Sequence, residues 1–267
     1  MSSYVITGAA RGIGPCVLAF VAQLSTEPNN TIFALVRSKS AASHLESLPG
    51  KNITIIEADI TDSKAVEAAT QQVSALTGGK LDYLINNAAM LRVGGPGLTD
   101  FSRSSSPEDL EKELMDHFRV NTVGTVHCTN AFLPLLRQGS AKKVVVLSTG
   151  GADLDLVLKA NMSKSAAYAI SKAAVNMVVA KYAAEFKQEG FVFLTLSPGY
   201  VDTSATATEK IDEEAIKALT KKATKVLSNF TALTPEESVK MQLEVIYKWK
   251  VEDSGAFVSH HGNKEWM

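Results

Sequence analysis

Cysteine is nearly absent: Cys16 and Cys128 are the only two in 267 residues, far apart and without metal-ligand spacing. That excludes a disulfide-stapled scaffold and leaves two buried structural thiols in a reducing compartment as the expectation. No apolar run approaches the roughly 20 residues needed to span a bilayer. Charge of one sign is also lacking: 27 basic residues against 28 acidic ones leave a formal net charge of -1. Nothing basic therefore argues for nucleic acid or an anionic membrane as a partner. A first strand starting near Tyr4 leaves no room for a leader, so the cytoplasm is the expected location. Internal repeats, low-complexity tracts and linkers are missing as well, which predicts one domain over residues 1–267.

What is present is alternation. Short β-branched, apolar runs at residues 4–7, 31–36, 52–57, 81–85, 142–147, 191–196 and 256–258 read as strands. Several, such as "VVVL" and "YLI", are unbroken, as strands buried on both faces should be. Longer helical patterns lie near residues 13–24, 63–77, 107–137, 165–188 and 235–248. The order β, α, β, α predicts an α/β fold: a single Rossmann-type, doubly wound parallel sheet of about seven strands, helices on both faces. Residues 94–106, 152–164 and 204–230 depart from that pattern. They are expected to shape the substrate pocket, with 204–230 as a lid.

The stretch "TGAARGIG" follows the first strand and opens the first helix. Gly8, Gly12 and Gly14 let the backbone approach a pyrophosphate, and the helix N-terminus offers free N–H groups. Pro15 suits the first helical turn. An NAD site usually carries a carboxylate about 20 residues past such a loop, on the ribose 2′-hydroxyl. "TIFALVRSKSAASHL", Thr31 to Leu45, has no acid and offers Arg37 and Lys39 instead. Cations there suit a 2′-phosphate, so NADP(H) is the expected cofactor.

"AAYAISKAA" sets Tyr168 and Lys172 one helical turn apart, on one face, with Asn176 a turn beyond. A tyrosine is a poor proton donor at neutral pH unless a nearby cation stabilises its phenolate. With that help it can protonate a carbonyl oxygen as hydride reaches the carbon.

These motifs together resemble the short-chain dehydrogenase/reductase family, over nearly the whole chain. Thr7–Gly14 resembles the family's glycine loop, with Ile13 inside it, and Asp59-Ile60 the acidic adenine contact after strand three. Asn86-Asn87-Ala88-Ala89 matches an N-N-A-G motif with alanine in place of the last glycine. Asn121, with Arg119 nearby, matches the mid-helix asparagine. Pro198-Gly199, followed by Val201 and Thr203, matches the stretch at the nicotinamide end. The resemblance implies that Tyr168 is the proton donor and that Lys172 holds the cofactor ribose. It implies that Asn121 anchors a relay water, and that Arg11 joins Arg37 on the 2′-phosphate. The style of the sequence further resembles fungal ketoreductases, which implies a role in secondary metabolism.

Two departures matter. The family's paired serines appear as Ser148-Thr149. Either hydroxyl can orient the substrate carbonyl; the position favours Thr149, whose extra methyl narrows the pocket. The stretch between Thr149 and Tyr168 is also longer than in many relatives. His260-His261 lacks a patterned third ligand, so no metal site is expected; a pocket-lining or interface loop is. His44, His117 and His127 read as surface or helix residues. The helix at 165–188 is apolar nearly all round, which predicts cover on its outer side by a second subunit, in a homodimer or homotetramer. The expected activity is reduction of a small-molecule ketone or aldehyde. The alternatives are an imine or alkene reductase, a cyclase on the same scaffold, or an NADP-sensing regulator without turnover.

Overall fold

Seven of the β-branched runs form strands in the computed structural model of the chain, which describes residues 1–8, 14–92, 94–100, 106–202 and 232–266. They are β1 (Ser3–Thr7), β2 (Thr31–Val36), β3 (Ile53–Glu57), β4 (Tyr83–Asn86), β5 (Lys143–Leu147), β6 (Val192–Ser197) and β7 (Phe257–Ser259). All pair in parallel, in the order β3-β2-β1-β4-β5-β6-β7. The order reverses between β1 and β4. At that switch point the crossovers leave to opposite faces and a crevice opens beyond the strand C-termini.

Helices cover both faces: α1 (Gly14–Ser25), α2 (Ser43–Glu46), α3 (Ser63–Thr77), α4 (Pro107–Phe118), α5 (Gly124–Gln138), α6 (Leu154–Lys159), α7 (Ala166–Glu185) and α8 (Pro235–Lys248). Successive strand residues point to opposite sides, and the core divides accordingly. Ile6, Ala34, Val145 and Leu196 pack with Phe20 of α1 and Val239 and Ile246 of α8. Val5, Phe33, Val146 and Phe193 pack with Val66 of α3, Phe132 of α5 and Val179 of α7. Each such fully buried side chain contributes about 1.5–3 kcal/mol, so this burial, more than helix propensity, holds the helices in place.

Local sequence sets the helix ends. Asp62 accepts hydrogen bonds from the amides of Lys64 and Ala65 at the start of α3, and Gly78, at φ 63°, stops it. Ser106 with Asp109, and Thr234 with Glu237, close capping boxes ahead of α4 and α8. The C-terminal carbonyls of α8 are met differently: half-buried Lys143 Nζ donates to Ile246, Tyr247 and Trp249 at 2.7, 3.2 and 2.8 Å. Asp82 accepts from the amide and hydroxyl of both Ser3 and Ser140, joining β1, β4 and the turn before β5.

The pattern at 107–137 is not one uniform helix. It passes through a π-helical turn at Arg119–Val123, between α4 and α5. Such a turn inserts a residue without breaking the helix, and it often marks a functional position; here it carries Asn121. Two short helices, α2 and α6, lie where only irregular chain was expected. Cys128 is free and wholly buried, and burial pushes its thiol up to about 12. Among the described residues, no helix is long and apolar enough to cross a membrane.

Candidate active site

The crevice beyond β1, β4, β5 and β6 collects most of the described candidates. Gly8 leaves β1 at φ 81°, a backbone state that side chains disfavour. A Cβ there would lie 2.5 Å from Ala88 Cα, so the loops after β1 and β4 touch backbone to backbone. Thr7 Oγ accepts from the amides of Asn87 and Ala88, and Asn87 Nδ2 donates to Thr7 O at 3.3 Å. Asn87 Oδ1 is then left buried without a partner among the described residues. Arg11, Gly12, Ile13 and Thr203 lie outside the described residues, as does the expected lid at 204–230.

Arg37 sits one residue past β2, exposed, with no side-chain partner among the described residues. The sheet adds what the linear segment lacks. Glu57 is in register with Val36, and its carboxylate accepts from the Lys39 amide at 2.8 Å. An acid therefore does stand at the end of β2, delivered by β3. Asp59 Oδ1 is held by the amide and hydroxyl of Thr61, while Ile60 packs under Gly124. Arg119 is exposed at the start of the π-helical turn.

Tyr168 and Lys172 lie in the first two turns of α7, both buried. Lys172 Nζ donates to Leu147 O at 2.7 Å and stands 5.9 Å from the Tyr168 ring centroid. Burial pulls Lys172 down to about 7 and pushes the Tyr168 phenol up. Desolvation thus drives both groups toward neutrality, against the phenolate-stabilising shift expected from the pair alone.

Ser148 and Thr149 leave the end of β5 in different states. Ser148 Oγ is buried without a partner. Thr149 is half-buried, and its Oγ accepts from the Gly151 amide at 3.1 Å, leaving its own proton free to donate. Asn121 is fully buried, and its side chain is committed to the chain itself. Its Oδ1 accepts from the Met90 amide at 2.7 Å, and its Nδ2 donates to Met90 O and Ser171 Oγ. Ser171 Oγ in turn donates to Tyr168 O. Asn121 therefore clamps the loop after β4 to the turn that carries the tyrosine.

Three residues near the site were not expected there. Ser171 is one; it sits in the Y-x-x-x-K spacer, where nothing distinguishes it. His117, read as a surface or helix residue, is 1% exposed. It lies on α4 edge-on to Tyr168, with ring centroids 6.5 Å apart and Nδ1 2.9 Å from Glu113 O. Glu113 is four residues earlier, a helical spacing that could have flagged the pair. Trp266 is the third, packed on Gly150. Beyond β6, Ser238 Oγ donates to Pro198 O at 2.7 Å. Gly199 adopts φ 80°, with the His260 ring where a Cβ would stand. Val201 bridges to Leu233.

The sequence pattern of the short chain dehydrogenase family matches residues 3–214. The chain belongs to that family. This short-chain dehydrogenase is 44% identical to the short-chain dehydrogenase/reductase AacuF of Aspergillus aculeatus and 40% identical to the short chain dehydrogenase virK of Hypocrea virens, each over the full length of both proteins. Its fold is similar to that of the NADPH-bound carbonyl reductase from chicken fatty liver: TM-score 0.77, 25% identity, 98% of each chain covered. The sequence reading of the family and of the parallel seven-stranded sheet is borne out.

Proposed function

We propose that this short-chain dehydrogenase uses NADPH to reduce the carbonyl of a small ketone or aldehyde, in the cytoplasm. The observation that carries the reading is the burial of Tyr168 and Lys172 together beside the Ser148-Thr149 turn, at the mouth of the crevice. The chicken protein's description as an NADPH-bound carbonyl reductase points the same way. The placement in secondary metabolism rests on the resemblance to fungal ketoreductases.

A nicotinamide dinucleotide, when bound, supplies the hydride. The residues present fit it: Gly8, in the left-handed state, lets the loop after β1 close against Ala88 ahead of the N-terminus of α1, where a helix favours a phosphate, and Asn87 Oδ1 is a buried acceptor without a partner among the described residues. Gly8, Gly14, Asp59, Ile60, Asn87, Ala88, Pro198, Gly199 and Val201 would hold it, together with Arg11, Gly12, Ile13, Arg119 and Thr203. Arg37, Lys39 and Arg11 would meet the 2′-phosphate. Tyr168 donates its hydroxyl proton to the substrate oxygen as that carbon is reduced. Thr149 donates a hydrogen bond to the same oxygen; it is half-buried with its own proton uncommitted, whereas Ser148 is 2% exposed. Lys172 holds the ribose and, once charged, favours the phenolate left behind. Asn121 and Ser171 keep Tyr168 in register.

One observation favours a second reading. Glu57 stands where a carboxylate would bind ribose hydroxyls, so NADH is the competing cofactor. Initial rates with each cofactor, for wild type and Arg37→Ala, decide between them. NADPH preference that falls about 10- to 100-fold in the variant supports the proposal, as the loss of charge-assisted hydrogen bonds to phosphate worth about 1.5–3 kcal/mol; equal use of NADH by both proteins refutes it.

The proposal includes a homodimer or homotetramer. Met115 and Phe118 of α4 and Ile170 and Met177 of α7 are 39–63% exposed. Apolar side chains on two packed helices in this way suit a self-interface. Small-angle scattering showing a monomer would sink that part.

A further inference from the structure

The C-terminal tail, residues 260–266, ends on the two loops that flank the reaction site, and each contact falls on a glycine. A Cβ at Gly150 would stand 3.0 Å from Trp266 Cβ, and one at Gly199 would stand 2.6 Å from the His260 ring. Gly150 directly follows Thr149, and Gly199 opens the stretch matched to the nicotinamide end. Both rings are buried, and His260 Nδ1 has no partner among the described residues.

The tail is built to hold that pose. The Ser259 amide donates to Asn263 O, and the Gly262 amide to Ser259 O, each at 2.8 Å, which closes a hairpin. The Glu265 amide donates to Asn263 Oδ1 at 2.8 Å and turns the chain back. Trp266 then packs on Phe257, the rings tilted by 35° with centroids 4.5 Å apart. Lys264 Nζ lies over both rings and pairs with Asp153 at 3.3 Å. Asp153 is the residue that caps α6.

The geometry points to a positioning role: Trp266 fixes the Thr149 turn that orients the substrate carbonyl, and His260 fixes the Pro198-Gly199 loop at the nicotinamide end. This rests on the carbonyl-reductase reading for its chemistry but not for its structure. Under Trp266 the turn is held by Gly150 N–H to Ser197 Oγ at 3.0 Å, Gly151 N–H to Thr149 Oγ at 3.1 Å, and Asp153 N–H to Gly150 O at 2.9 Å. On that side the Trp266 ring packs beside Leu156 Cδ2, which would stand 3.1 Å from a Cβ at Gly150, so loss of the ring removes the tail's share of the cover on the turn. Gly150 is then the residue that admits the ring, so the tail and the turn are complementary by sequence.

The test compares Trp266→Ala, Trp266→Phe and His260→Ala with wild type, by hydrogen–deuterium exchange and by steady-state kinetics. Amides 150–153 in Trp266→Ala should exchange at least about tenfold faster, with the β6 amides unchanged; Trp266→Phe should restore protection. Where wild type turns over a carbonyl, Trp266→Ala should lose about 10- to 100-fold in kcat/KM for that substrate at unchanged KM for NADPH. His260→Ala should show the converse, a raised KM for NADPH. Unchanged exchange at 150–153 in Trp266→Ala overturns the inference, whether or not wild type is active. So does acceleration of the β6 amides by the same factor, which would mean general loosening. Wild type inactive with either cofactor would refute the proposed function alone, since the exchange result still decides this one.

Discussion

Lys172 offers a prediction in which stability and function pull apart. In an unfolded chain a lysine keeps its proton up to about 10.4, whereas in the fold burial pulls Lys172 down to about 7. Between those values the unfolded state binds more protons, so stability rises as pH climbs from 7 toward 10. Below 7 the folded protein must carry a buried ammonium, and stability is lowest. At 1.36 kcal/mol per pKa unit, the full penalty at or below pH 7 is about 5 kcal/mol. Lys172→Met removes that penalty. It also orphans Leu147 O, which costs about 1–3 kcal/mol. The net expectation is a variant more stable than wild type by about 2–4 kcal/mol at pH 6.5, the difference falling with pH and reversing to about 1–3 kcal/mol in favour of wild type above pH 10, where only the orphaned carbonyl counts. Urea unfolding of both proteins across that range, at one protein concentration and without nucleotide, measures it directly. Turnover should be lost over the same range. A variant that is less stable at pH 6.5, with the same pH slope as wild type, would refute the claim that burial of Lys172 costs stability.

The remaining expectations concern the loops and the sheet base. Thr149→Ala should lower kcat for carbonyl reduction by about 10²–10³, the usual cost of one donor to a developing oxyanion, while Ser148→Ala should change it little; the reverse ranking would move the role to Ser148. Gly8→Ala should weaken dinucleotide binding sharply, because the new Cβ meets both a left-handed backbone and Ala88 Cα at 2.5 Å; titration of nucleotide fluorescence showing wild-type affinity would contradict the cradle. Although burial opposes it, the bonds from Ser3 and Ser140 hold the Asp82 carboxyl below the usual range. Its contribution is present above the unfolded carboxylate pKa of about 3.9 and is lost as pH falls through the folded value. Asp82→Asn should therefore flatten part of the acid limb in a denaturation profile, and an unchanged limb would show the bonds to be idle.

The fold was legible because its signals are local. Unbroken runs such as Val144–Leu147 announced buried parallel strands, and the helical pattern at 235–248 matches α8. The break in the 107–137 pattern was not legible. A π-helical turn keeps the apolar periodicity nearly intact, and only backbone bonds such as Gly124 N–H to Arg119 O reveal it. The site divides along the same line. Tyr168 and Lys172 are a turn apart on one helix, so spacing alone placed them together. Glu57 reaches the end of β2 through strand register, and Trp266 reaches Gly150 through the whole chain, so neither had a local signal. His117 lies on a helix, one of its two expected settings, but its burial was not legible because it comes from α7 packing on α4, not from its neighbours in sequence.

The central claim is NADPH-linked carbonyl reduction with Tyr168 as proton donor. Steady-state nicotinamide absorbance with a panel of small ketones and aldehydes, for wild type and Tyr168→Phe, tests it most directly. The account predicts NADPH oxidation by wild type on at least part of the panel. It predicts a loss of about 10²–10⁴ in kcat for Tyr168→Phe, the usual worth of a positioned general acid, at unchanged NADPH affinity. Turnover retained by Tyr168→Phe, or none by wild type, would contradict it.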